Sequence, residues 1–197
     1  MNEKFEKIAE SLTEKKLQRT ANSLKEKYKP TVSKELERAN RFAYELYFKN
    51  FQSESMKVCE ILEEENFTGN HNLWTWIQSA LFLKCWILWK SDKESNREKI
   101  ENIIETVKST IEFGNDETIK KISRRARDRR LNGSLLHYNK IEDSIKENDK
   151  EGELSWRIGQ FKELLFIYFL GGSEEFSIER VLRELDENEV IIKRLML

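Results

Sequence analysis

Apolar residues in this chain recur every three to four positions and nowhere sustain a period of two, which points to amphipathic helices rather than strands. A first run holds Phe5, Ile8, Ala9 and Leu12, then Leu17, Ala21, Leu24 and Tyr28, and stops before Pro30, whose ring disfavours helical backbone ahead of it. Ser33 is placed to cap the next helix, with Glu35 and Glu37 in its first turn and Leu36, Ala39, Ala43, Leu46 and Tyr47 on its inner face,. A break near Asn50 to Ser53 leads to Met56, Cys59 and Leu62. Asn70 or Asn72 then caps a Trp-rich helix, Leu73 to Trp89, which is apolar on nearly all sides. After a polar loop from Ser91 to Ser95 comes a stripe of Ile100, Ile103, Ile104, Val107 and Ile111, closed by Gly114,.

Asp116 opens a helix with Ile119, Ile122 and Ala126 that ends at Asn132-Gly133, and Leu135, Tyr138, Ile141 and Ile145 mark another. Leu154 to Leu170 is a second strongly apolar helix, ended by Gly171-Gly172. Ser177 caps a segment through Ile178, Val181, Leu182 and Leu185, and Val190 to Leu197 is an apolar tail. The expectation is an all-α single domain over residues 1–197, with about nine helices joined by short links into antiparallel helical hairpins.

Composition supports that reading and narrows it. The chain has 197 residues with 36% charged and 11% aromatic positions, one Pro and seven Gly. The aromatic content exceeds that of disordered chains, and so few turn residues disfavour sandwiches and barrels. Leu73 to Trp89 is short for a bilayer span, and Lys84 within it would cost roughly 2.5–3.5 kcal/mol near the membrane centre. It is expected to be a buried core helix of a cytoplasmic protein, and no apolar signal region stands in residues 1–30,. Cys59 and Cys85 read as buried reduced thiols.

Signatures of chemistry are sparse. Hydrolase, metalloprotease, dithiol, P-loop and dinucleotide motifs are absent from the sequence,. His71 and His137 lack a helical ligand partner for zinc, while Glu142 and Asp143 stand near enough to His137 in sequence to suggest an acid–base dyad. The expectation is a protein with no catalytic residue, cofactor or metal. Trp86 and Trp89, three positions apart, share a helix face. Charge is unevenly spread: Lys120 to Arg130 has seven basic residues and one acid, while Glu60, Glu63, Glu64 and Glu65 cluster, and Glu174 to Glu189 is strongly acidic. These acidic stretches disfavour a nucleic-acid partner. Candidate partner-binding residues are Glu60, Glu63 and Glu64, then Glu175, Glu179 and Glu184, or the basic Arg124, Arg125 and Arg127.

Two resemblances follow from these patterns. Leu36/Leu73, Ala43/Ala80 and Leu46/Leu83 coincide at one offset and Leu46/Leu164 at a larger one, each apolar helix being followed by a polar turn and a shorter helix. In this the chain resembles a degenerate tetratricopeptide-type array of helical hairpins. Its size, charge richness and lack of catalytic motifs resemble the small all-helical bacterial immunity proteins. That resemblance implies a non-enzymatic chain that binds a cognate toxin and neutralises it. The competing expectation is a helical scaffold or regulator that reads a peptide or nucleic acid through Lys120 to Arg130.

Overall fold

A computed structural model of the chain describes residues 32–64, 71–111, 137–170 and 177–197. Among them the fold is all-helical: α1 (Val32–Phe48), α2 (Gln52–Glu63), α3 (His71–Asp92), α4 (Arg97–Ile111), α5 (137–146), α6 (Lys150–Phe169) and α7 (Ile178–Leu195). These are seven helices among the described residues rather than about nine. The expected helices in 5–28 and 116–132 lie outside the described residues, as does Gly114. The chain forms two compact units, Met1–Lys84 and Cys85–Leu197, with the boundary inside α3.

In the first unit α1 packs on α2. Ala39, Phe42, Ala43, Leu46 and Tyr47 of α1 meet a core shared with Val58, Cys59 and Leu62 of α2 and with Ile77, Ala80, Leu81 and Leu83 of α3, all of them buried. The two helices reverse direction within three residues. Asn50 adopts a left-handed conformation, φ 65°, its N–H bonds the Tyr47 carbonyl at 3.0 Å, and the Phe51 N–H bonds Leu46 at 2.8 Å. This is the Schellman closure, which satisfies carbonyls that the end of a helix leaves open. Ser55 then donates its hydroxyl to the Ala43 carbonyl at 2.8 Å, fixing α2 against α1 from inside.

The same turn recurs in the second unit. Asn148, φ 55°, closes α5 with its N–H on Ile145 at 3.2 Å and the Asp149 N–H on Ser144 at 2.8 Å. Asp149 also caps α6, its carboxylate accepting from the Gly152 N–H at 2.9 Å. A side chain at Gly152 would collide with that carboxylate and sit 2.9 Å from Ser144 Oγ, so the first turn of α6 needs glycine there. α6 packs on α7. Phe161, Leu164 and Leu165 form their core with Val181, Leu185 and Ile192, and Trp86, Ile100, Val107 and Ile141 are buried in the same unit.

Several expected boundaries move. α1 already runs from Val32, so Ser33 lies within it rather than capping it. α3 begins at His71, which places Asn72 inside the helix, and it continues through Ser91 to Asp92. α6 starts at Lys150, four residues before the first apolar position that marked it, because Asp149 supplies the cap. The apolar tail is no tail: α7 is one helix to Leu195, capped at Ser177, whose hydroxyl accepts from the Arg180 N–H at 3.3 Å. Ile145, expected on the inner face of α5, is 51% exposed, in the last turn of α5 just before the Asn148 reversal. No helix of the described residues is long and apolar enough to cross a membrane.

Left-handed backbone suits glycine and, less well, asparagine, and disfavours a β-carbon generally. Asn50→Ala and Asn148→Ala should each lose about 1 kcal/mol of stability, whereas glycine at either position should keep or raise it. Urea unfolding of the four variants checks this.

Candidate functional site

The acidic stretch of α7 is largely consumed by pairing. Arg180 Nε meets Glu184 at 2.8 Å, Arg183 meets Glu187 at 4.0 Å, and Lys90 of α3 meets Asp186 at 2.9 Å. Glu179 lies in the first turn and Lys193 and Arg194 in the last, the order that the helix dipole favours. Glu184 is half-covered, and burial, with Glu187 second, raises its pKa. Glu175, Arg124, Arg125 and Arg127 lie outside the described residues.

Glu189 is the residue that sequence reasoning missed. It is 6% exposed, yet its carboxylate accepts from Trp86 Nε1 at 3.1 Å and from Lys193 at 2.7 Å, with Lys90 Nζ at 3.7 Å. A buried carboxylate is tolerated when its oxygens are matched in this way. Burial works against the Lys90 charge, but Asp186 and Glu189 outweigh it and raise the Lys90 pKa. Lys90 also stands 5.2 Å from the centre of the Trp86 ring. Trp89 stacks on Trp86 at 5.1 Å and 6°, on the helix face that their spacing of three lets them share, and Tyr168 meets both edge-on. Signals for this node were present in the sequence, in the i, i+4 Glu189/Lys193 pair and the Trp pair, but their convergence was not.

Charge is arranged differently on α2. Glu60, Glu63 and Glu64 are all exposed at its C-terminal end, so the structure does bring these three together. No basic residue stands in the last turn of α2, and Glu63 takes Lys84 of α3 at 2.5 Å. Just inside, burial pushes the Cys59 thiol up to about 12, with Lys84 opposing and Glu60 and Glu63 adding to the rise. A thiol so protonated is a core group, not a nucleophile. Cys85 is buried as well, 4.0 Å from the Ile100 carbonyl.

His137 has no carboxylate partner of the expected kind. Glu142 pairs with Lys146 at 3.8 Å and Asp143 with Lys140 at 3.7 Å, both on the exposed face of α5. The imidazole instead faces α6, tilted 45° to Trp156 with ring centres 5.7 Å apart. A β-carbon at Gly159 would lie 3.0 Å from His137 Cε1. Among the described residues no three His, Cys, Asp or Glu side chains converge as a metal site requires.

Fold and surface together define an all-helical protein with many of its described charges paired and three exposed carboxylates, Glu60, Glu63 and Glu64, gathered at the end of α2. The chain belongs to a family of unknown function, DUF6707, whose model matches residues 2–194. No curated protein and no solved structure matches it.

Two measurements test these packing assignments. Glu189→Ala removes the acceptor of the Trp86 N–H and one carboxylate from Lys193 and Lys90, Lys90 keeping Asp186, and should cost about 2 kcal/mol in urea unfolding. Gly159→Ala should destabilise the wild type by crowding the imidazole. In a His137→Ala background the same change should stabilise by up to about 1 kcal/mol, the ordinary helix preference for alanine.

Proposed function

We propose that this chain is a non-enzymatic protein-binding domain that docks a basic partner surface on the acidic end of α2, and that it serves as a bacterial immunity protein neutralising a cognate toxin. The observation that carries the reading is a conflict with helix energetics. Glu60, Glu63 and Glu64 stand at the negative end of the α2 dipole, with no basic residue in that turn. Each exposed acid so placed costs about 0.3–1 kcal/mol. α7 follows the opposite order, acid first and base last. A charge distribution that works against its own helix is accounted for by a partner, since folded proteins break local rules chiefly where function requires it.

A toxin that handles nucleic acid has a basic substrate channel, and a row of carboxylates matches it in charge. On this reading the α1–α2 pair is one hairpin of a tetratricopeptide-like array, with the row of carboxylates on its exposed face.

The reading is tested with Glu60→Lys/Glu64→Lys in a growth-protection assay against the products of the reading frames flanking this gene. The double variant should fold with equal or higher stability, by about 0.3–1 kcal/mol per site, and should fail to protect, with slower association in a binding measurement. His137→Ala should still protect. A double variant that protects normally, beside a folded His137→Ala that does not, overturns the binding-domain reading.

A further inference from the structure

α7 carries a second ordered face, turned away from its core. Leu185, Asn188 and Ile192 mark the buried side. Opposite them Arg183, Glu187, Val190 and Arg194 recur at spacings of four, three and four, and every one is exposed. That spacing is the seam along which one helix meets another. Among the described residues three large apolar side chains are exposed, and Val190, at 57%, is on this line, with Leu197 just past its end.

The charges of the line match a second copy of the same line running the other way. Glu187 and Arg194 are seven positions apart, close to two turns, with Val190 between them,. A two-fold axis passing between Val190 and Ile191 lies midway between the two charges, about 5 Å along the helix from each. It sets Glu187 of one copy against Arg194 of the other, twice over, and brings the two Val190 side chains together at the centre. Parallel pairing would instead oppose Glu187 to Glu187 and Arg194 to Arg194, a like-charge arrangement that is unfavourable. Neither group is firmly engaged within the chain. Arg183 comes only to 4.0 Å from Glu187, with the two side chains 68% and 65% exposed, so the pair contributes little. No acidic residue stands three or four positions from Arg194 along the helix.

We propose that the outer face of α7 is the contact through which two copies of this chain associate, as an antiparallel helix pair about a two-fold axis beside Val190. Each patch is its own complement, as a two-fold contact requires. A single helix face makes a small interface, below about 1,200 Å², so the dimer is weak and concentration-dependent, with charge setting its orientation. The contact uses residues of the second unit alone and does not depend on the acidic end of α2.

Sedimentation equilibrium of the full chain in low salt tests the pairing. Monomer should give way to dimer between about 10 μM and 1 mM, the range that suits so small an interface. Glu187→Arg and Arg194→Glu should each weaken dimerisation by about tenfold, whereas the double variant, which exchanges both charges, should return to within about threefold of wild type. A second measurement does not rely on these variants. With Cys59 and Cys85 buried, Val190→Cys should form a disulfide-linked dimer under catalysed air oxidation. The proposal is overturned by a chain that stays monomeric at about 1 mM, which would leave this face to solvent or to a different protein. It is equally overturned by a dimer that neither single exchange weakens, by a double variant as weak as the single ones, or by a Val190→Cys chain that does not cross-link.

Discussion

Burying α3 around nearly its whole circumference is the constraint on which the rest of the structure depends. From Ile77 to Ile87 every side chain except Lys84 is buried, including the polar Gln78 and Ser79. An apolar helix can be enclosed only if every polar atom it takes inside finds a partner there. In the first unit Tyr44 donates its hydroxyl to the Ser79 carbonyl at 2.9 Å, and Asn40 donates to the Trp76 carbonyl at 2.9 Å. Tyr44 and Asn40 are themselves almost fully buried, so α1 could not exchange them for leucines without leaving the outer surface of α3 differently matched. Lys84 escapes by reaching the Glu63 carboxylate.

In the second unit the same requirement produces a charge where the core would otherwise be apolar. Trp86 is fully buried and its indole N–H needs an acceptor,. Glu189 supplies one, and its own charge then calls for Lys193 and Lys90, which in turn takes Asp186. One buried aromatic thus organises four charged side chains on α3 and α7. Such a node adds little net stability compared with an apolar packing of equal volume, but it fixes register, because sliding α7 by one residue strands every member. The acidity of α7, conspicuous in the sequence, is in this sense an internal matter.

That outcome shows which parts of the molecule were legible in the sequence. Helical periodicity located α1, α4 and α7 because Leu36, Ile100 and Val181 begin stripes that one buried face requires. It placed Trp86 against Trp89 for the same reason. Periodicity does not carry the turn chemistry: nothing in Asn50 or Asn148 distinguishes a left-handed closure from an ordinary polar link until the backbone bonds are seen. Nor does it tell Ile145, exposed on the turn before such a closure, from Ile141, which is buried. Sequence proximity suggested carboxylates for His137, yet a residue on the facing helix, Gln160 of α6, reaches it instead. Composition indicated two acidic stretches, and only pair geometry separates the neutralised one from the exposed one.

The exposed one is hard to explain by folding. Reversing the charges at the end of α2 would favour the helix dipole. Selection for stability alone pushes such positions toward lysine or arginine, because helix-end charges are among the easiest gains open to a marginally stable protein. On α7, where Lys193 and Arg194 close the helix, the residues agree with that pressure. On α2 Lys84 answers Glu63 from within the chain, and a basic partner surface, as proposed above, would bring further compensation from outside it. The field of such a cluster reaches about a Debye length, near 8–10 Å in physiological salt. It therefore acts first on encounter and selection, and the affinity itself must come from the apolar contacts that a partner adds around it.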